Sequence, residues 1–511
     1  VRGLRAWLIP DVALVGAAVA LAYCLLLWDG PQRLFRDADA GWHIRTGERI
    51  LEQRSLPRED PYSFSREGRP WVAWEWGADL LMGVAHRWAG LAGVVWLYAG
   101  AIAATVWLWF RLNWQVQGDF LLACALAAPM LSTANLHWLA RPHVFGWLFT
   151  LAAVGCAERA GSRFRLRDAL AIAVASAVWA NVHGSFFLGP VIGLIYAAGH
   201  GLHARIWQED DSQARQLRSK ARWLLLAATV SLAGTLANPY GWQLHRHVFA
   251  YLTDSELLAR IGEFQSFNFH AEGAGQILLA VGVAGLGACV ALYERRLAHF
   301  LLIALLLATS LRMARGLPLL ALIGLPLANG AITAALRRAA AGASLRPGLR
   351  RRLQGFLDYS ARLRALETGH HGGLVAAALL GIALLWLLSP GVQTRTGFPA
   401  DQFPVDAAAA VGQLPAEARL LSTDKYGGYL IYRFAGRRKV FFDGRSDFYG
   451  ADFLKQYGRL MQVRPGWRQL IEQFGFTHAL LPNDYSLRGA LEDSGWKRLY
   501  ADRVATLLAR P

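Results

Sequence analysis

Two aspartates one residue apart, Asp37 and Asp39, stand in the stretch FRDADAGWHIRTGERIL, 35–51. A carboxylate pair at this spacing can take a proton from an incoming group or share a divalent cation. Either aspartate can instead cap the helix that the pattern predicts from about Gly41. Other polar residues recur in a sequence otherwise poor in them. His43, Glu75 and His86 follow the pair; HWLARPH supplies His137, Arg141 and His143; WANVHGS supplies Asn181 and His183. ANPYGWQLHRH supplies Asn238, His245, Arg246 and His247, and RMARG supplies Arg312 and Arg315. Ionisable groups at or inside a membrane span are costly and face the protein interior or a wet cavity. Snorkelling to water is the structural alternative, and it suits His137, Arg246 and His247 best. Asp37, Asp39, Glu75 and His183 are candidate oxygen and nitrogen ligands for Mg²⁺ or Mn²⁺, although no spacing demands a metal.

The elements that must hold these residues are membrane helices. The 511 residues are 54% hydrophobic and only 17% charged, and uncharged runs recur near the spanning length of roughly 20 residues. The net charge of +17 would suit a nucleic-acid partner, but the basic residues fall in short loops between apolar runs, as membrane topology dictates, and nucleic acid is excluded. About eleven spans are expected, near 9–28, 91–110, 119–137, 143–157, 168–183, 185–201, 223–238, 273–293, 298–311, 316–334 and 373–390. The first reads as a signal anchor, and Val1 in place of methionine points to an alternative start codon or a trimmed end. With the N-terminus in the cytoplasm, the arginine-rich loops at 158–168, 205–222, 294–296 and 337–364 all fall on the cytoplasmic side. The basic segment 337–372 is then a cytoplasmic helix, lying on anionic lipid or serving as a solvated linker. The four cysteines lie in or beside apolar runs, with neither zinc nor disulfide spacing.

Residues 1–391 thus form the transmembrane part, with a first outer loop at 29–90. Within that loop two interfacial helices are expected, one after Asp39 and one over 68–90, where Trp71, Trp74, Trp76 and Trp88 suit the headgroup layer. Residues 392–511 turn soluble in composition and read as a small α/β domain outside the membrane. Its strands are expected at 418–423, 439–444 and 478–482 and in two closing segments, with helices between. Gly427-Gly428 allows a close backbone approach, and Asp443, Arg445 and Asp447 follow a strand end, where α/β domains place ligand groups. An internal salt-bridged turn explains those three equally well.

The first hundred residues resemble the GT-C superfamily of polytopic glycosyltransferases, in particular the branch that uses polyprenyl-phosphate sugars and includes protein mannosyltransferases and aminoarabinose transferases. The likeness rests on Asp39 with Ile50-Leu51, and on Arg69-Pro70-Trp71 with Trp74 and Trp76. The family's acidic pair is Asp-Glu; here Ala40 follows Asp39, and Asp37 precedes it. Arg69 stands where the family often has Lys.

The resemblance implies an inverting transfer of a hexosyl or pentosyl group from a polyprenyl-phosphate carrier to a lipid, glycan or protein acceptor. The reaction would take place at the outer face of the cytoplasmic membrane. Asp39 would be the base, with Asp37 its support; Arg69, Arg141, Arg312 and Arg315 would hold the donor phosphate; His43, Glu75, His143, Asn181 and His183 would line the substrate site. The rival readings are a transporter or flippase for a lipid-linked glycan, against which the lack of an internal repeat argues, and a scaffold for envelope polysaccharide assembly.

Overall fold

The computed structural model describes residues 2–207, 210–343 and 345–511; Val1 lies outside the described residues. The membrane part is built on the helices α1 (Val12–Leu26), α2 (Asp39–Gln53), α3 (Trp76–Gln115), α4 (Phe120–Ala134), α5 (His143–Glu158), α6 (Leu166–Val182) and α7 (Leu188–Ile206). It continues with α8 (Asp211–Gly234), α9 (Trp242–Thr253), α10 (Gly275–Tyr293), α11 (Leu297–Arg312), α12 (Leu325–Ala341), α13 (Pro347–Glu367) and α14 (Gly373–Leu387). Each of the eleven expected spans falls on a helix. By length and apolarity, however, only six stretches of the described residues qualify to cross a membrane: Arg5–Leu26, Trp76–Gln115, Phe120–His137, Gly184–Ile206, Gly275–Tyr293 and Ala314–Ala341. Helices α5, α11 and α14 are apolar but shorter. The last two expected spans lie in α6 and α8, whose first turns carry Arg167 and Asp168, and Asp211, Arg215 and Arg218.

The outer loop departs from the expected pair of separate helices. Residues 68–75 are turn and loop rather than helix, and α3 starts only at Trp76, then runs into the span through a break at Ala89 and Gly90, where Gly90 takes φ +59°. The amphipathic and spanning parts therefore meet at the expected boundary, but as one kinked helix.

The C-terminal part adds α15 (Asp424–Arg433), α16 (Ser446–Met461), α17 (Trp467–Phe474) and α18 (Ser486–Asp493) to the strands β1 (Leu420–Ser422), β2 (His478–Pro482), β3 (Lys497–Ala501) and β4 (Ala505–Ala509). The mixed sheet has the order β1-β2-β4-β3. β1 and β2 run parallel, with Leu421 opposite Ala479; β4 is antiparallel to both of its neighbours, with Leu480 opposite Leu507. The segment 439–444 is not a strand of this sheet. Its backbone is given to the outer loop instead: the Val440 N–H donates to the Tyr62 carbonyl at 2.9 Å, and the Phe64 N–H donates to the Val440 carbonyl at 3.0 Å.

That exchange explains the position of the domain. Phe398, Phe403, Tyr429, Leu430 and Ile431 pack in one continuous core with Trp42, Tyr62, Trp71 and the membrane helices. Helix α15 crosses α2 at two glycines: a Cβ on Gly428 would stand 2.6 Å from the Ala38 carbonyl oxygen, and a Cβ on Gly41 would collide with the Gly428 carbonyl. Only glycine allows backbones to pass this closely. The first turn of α2, which begins with Asp39, is thereby roofed by the C-terminal domain.

Candidate active site

A local hydrogen bond sets the two aspartates. The Asp39 N–H donates to Oδ1 of Asp37 at 2.8 Å, which fixes the Asp37 carboxylate against the turn that enters α2. Oδ2 of Asp37 accepts from Nη1 of Arg141 at 2.8 Å. Nη2 of Arg141 lies 2.8 Å from Oδ2 of Asp39, and Nη1 also reaches Oε1 of Glu263 at 2.8 Å. One guanidinium therefore holds three carboxylates. The turn that carries Arg141, just before α5, is pinned to the base of the outer loop: the Ala140 N–H donates to the Leu34 carbonyl at 2.8 Å. Glu263, in the short turn Gly262–Phe264, extends the cluster, its other oxygen lying 3.4 Å from Nη1 of Arg315.

Asp39 is 6% exposed. Burial pushes its carboxyl up to about 8; Arg141 opposes that shift and Asp37 adds to it. Burial would also raise the Glu263 carboxyl, but Arg141 and Arg315 outweigh it and hold Glu263 well below the usual carboxylate range. Burial works against charge on Arg141, yet Asp37, Asp39 and Glu263 keep that guanidinium firmly protonated. The cluster thus contains one carboxyl poised near neutral pH beside a permanent cation, the pairing that proton transfer next to a phosphate calls for.

A second group lies alongside. Nδ1 of His43 is 2.5 Å from Oδ1 of Asp79, and its Nε2 is 3.9 Å from Oε2 of Glu75. Oε1 of Glu75 is 3.5 Å from Nε2 of His183. Nδ1 of His183 accepts from the Ser185 N–H at 3.1 Å, which leaves the ring proton on Nε2, toward Glu75. Burial raises the Glu75 carboxyl to about 7, against the pull of Arg315 and Arg141. Burial first, and then Arg141, hold the His43 ring well below the ordinary imidazole value.

The C-terminal domain closes the site. A Cβ on Gly444 would collide with the Asp39 carboxylate. Next to it, Arg445 is buried between the two parts of the chain. Its Nη2 donates to Oδ1 of Asp60 in the outer loop at 2.8 Å and to Oδ2 of Asp443 at 2.7 Å. Its guanidinium lies 4.6 Å from the Trp71 ring centre. Asp447 takes a different partner, His247, at 3.0 Å.

The structure therefore gathers Asp37, Asp39, Arg141 and Arg315, and beside them His43, Glu75 and His183. It does not bring in the other candidates. Arg69 is exposed, and its N–H donates to the Arg66 carbonyl. Arg312 is exposed at the end of α11 and forms no ion pair among the described residues. Asn181 is engaged structurally: it accepts from Trp76 Nε1 at 2.8 Å and donates to the Ala177 and Ala237 carbonyls. His143 is buried, with Nε2 2.7 Å from the His137 carbonyl oxygen. Among the described residues no group of three or more His, Cys, Asp or Glu side chains is placed to hold a metal ion. In this arrangement Arg141 bridges Asp37 and Asp39, at 2.8 Å from each, in the position that a shared cation would otherwise take.

Sequence reasoning missed Glu263 and Asp79. Asp79 is the lone acid in the apolar run WGADLLMGVAH, a signal of the kind that drew attention to His183. Glu263 lies in the loop between α9 and α10, and matching its charge to Arg141 and Arg315 would have raised it.

The archaeal oligosaccharyltransferase AglB from Archaeoglobus fulgidus, in complex with an inhibitory peptide and a dolichol-phosphate, matches with a TM-score of 0.55 at 12% identity, over 92% of this chain and 69% of that one. The chain shares the fold of this oligosaccharyltransferase. The same enzyme's complex with Zn and sulfate matches at a TM-score of 0.55 and 11% identity, over 92% and 68% of the two chains. ArnT from Cupriavidus metallidurans in the apo state matches over 98% and 96% at 16% identity, with a TM-score of 0.44. No protein-family model matches the sequence, and no curated protein does. In this fold the expected base and the expected phosphate-binding arginine meet at 2.8 Å, although they are 102 positions apart in sequence (141 − 39).

Proposed function

We propose that this chain is an inverting membrane glycosyltransferase that moves a sugar from a polyprenyl-phosphate carrier to an acceptor at the outer face of the cytoplasmic membrane. The observation that carries the reading is the direct contact of buried Asp39 with Arg141, inside a fold shared with an oligosaccharyltransferase whose solved complex holds dolichol-phosphate. In the single displacement, Asp39 takes the proton of the acceptor as the acceptor atom bonds to the anomeric carbon. The bond from that carbon to the phosphate oxygen breaks, and the configuration inverts. Arg141 and Arg315 stabilise the charge that grows on the leaving phosphate; planar guanidinium groups suit this task. Glu75, His43 and His183 line the adjoining wall, where the sugar or acceptor would rest.

The test is transfer from radiolabelled polyprenyl-phosphate sugars into a crude envelope fraction by the purified protein. Asp39→Asn should lower the rate by about 10²–10⁴-fold while its thermal unfolding stays close to wild type. Undiminished transfer by that variant would refute the assignment of the base, and absence of transfer by the wild type from every donor tried would refute the function.

A further inference from the structure

Three separate elements aim polar atoms at one point alongside the Asp39 cluster. His43 comes from the second turn of α2, Glu75 from the residue before α3 and His183 from the residue after α6. Each imidazole is held at its Nδ1 edge. Nδ1 of His43 shares a proton with Oδ1 of buried Asp79 at 2.5 Å. Nδ1 of His183 accepts from the Ser185 N–H at 3.1 Å and lies 2.7 Å from the Ser185 hydroxyl, which is itself fixed by the Trp179 Nε1–H at 3.1 Å. Both rings therefore offer Nε2, and both offer it to the same carboxylate: His43 to Oε2 of Glu75 at 3.9 Å, His183 to Oε1 at 3.5 Å. These gaps exceed the roughly 2.7–3.2 Å of an N–H···O hydrogen bond. The Gly184 N–H also acts on Glu75, but neither ring closes onto it. A hydroxyl oxygen seated at the mouth of either gap is within hydrogen-bonding reach of both its walls.

We infer that this wall is the specificity pocket for the transferred sugar and that it reads a vicinal diol, an assignment that rests on the transfer reaction proposed above. The two oxygens of one carboxylate can accept from two adjacent hydroxyls at once. In that pose one hydroxyl fills the gap between Oε2 and His43. The other fills the gap between Oε1 and His183, whose Nε2–H donates to it. The diol belongs to the sugar rather than to the acceptor because Arg315 and Arg141, assigned to the donor phosphate, are the cations that act most on Glu75. The side chains of His43, Glu75 and His183 are only 1%, 12% and 11% exposed. A sugar that lacks either hydroxyl would leave a buried polar group unmatched, and a site built this way discriminates steeply against it.

The full-length protein in detergent is titrated calorimetrically with citronellyl phosphate and with its mannosyl, glucosyl, galactosyl and arabinosyl esters. At least one ester should bind more tightly than citronellyl phosphate itself. Deoxygenation of that sugar at either of two adjacent positions should weaken binding by about ten- to a hundredfold; this series is read on the wild type and needs no variant to fold. Glu75→Gln should abolish the preference for the sugar and leave the affinity for citronellyl phosphate unchanged, whereas Arg141→Gln should weaken both. If no ester binds more tightly than citronellyl phosphate, or if single deoxygenations leave the affinity unmoved, the inference is overturned while the phosphate site stands. If Glu75→Gln binds the preferred ester like wild type and only raises the KM of the acceptor, the diol belongs to the acceptor and the assignment is equally overturned. If neither citronellyl phosphate nor any ester binds, the proposed function fails and takes the inference with it.

Discussion

Arg141 is shared among three carboxylates, and a donor phosphate would compete with all of them for it. As the guanidinium turns toward the phosphate, Asp39 loses the neighbour that holds its carboxyl down and gains a negative one, so its proton affinity rises further. The sign follows directly. Below its folded value Asp39 is protonated and cannot act as a base, so the rate rises with pH. In the free enzyme, reported by kcat/KM, the limb should lie near pH 8, the value to which burial brings this carboxyl. In the donor complex, reported by kcat, it should lie at higher pH. Asp37→Asn keeps an oxygen for the Asp39 N–H but removes a like charge, so it should move the kcat/KM limb to lower pH. A pH profile in which both limbs coincide, and in which Asp37→Asn leaves them unmoved, would break the proposed coupling between donor and base.

At the scale of elements, the loop 439–447 joins the soluble domain to the active-site wall. Gly444→Ala would drive a methyl group into the Asp39 carboxylate. Overpacking of this kind costs about 1–3 kcal/mol, so the variant should fold while its transfer rate drops, most of the loss appearing in kcat. Arg445→Met would leave Asp60 and Asp443 buried without their cation, a loss of about 3–5 kcal/mol. Limited proteolysis should then cut near 392–407, where wild type resists. This loop also marks how far the sequence could be read. The apolar runs carry their own helix signal, and the expected helices and strands on both sides of 439–444 form close to their expected places. KVFFDG looks like a sheet strand by composition, but its backbone partner is the first loop, where Val440 pairs with Tyr62 and Phe64, and the neighbouring Arg445 reaches Asp60 across 385 residues. Periodicity reports local structure and says nothing of such a partner, so Arg445 could be singled out from the sequence but its contact with Asp60 became visible only in three dimensions. Asp39 was legible because its chemistry, its place after the first span and the motif behind it all coincide within a few residues.

For the molecule as a whole, orientation is the remaining consequence. Basic residues gather at one end of the helices, in α13, in the first half of α8 and in the turn before α11, while the Asp39 site and the C-terminal domain lie at the other. An excess of Lys and Arg in short loops sets the cytoplasmic side, so the C-terminal domain should face the periplasm or its equivalent. The continuous core between Phe398, Tyr429 and Trp42 makes this domain and the outer loop one body, and both must therefore lie on one side of the membrane. Single cysteines decide the point once Cys24, Cys124, Cys156 and Cys289 are replaced. Ser494→Cys, exposed after α18, should react with a membrane-impermeant maleimide in intact cells. Ser212→Cys, exposed in the first turn of α8, should react only after permeabilisation. Labelling in the reverse order would put the Asp39 site in the cytoplasm. A nucleotide-sugar pool would then be within reach, and the argument for a lipid-borne donor would lose its topological support.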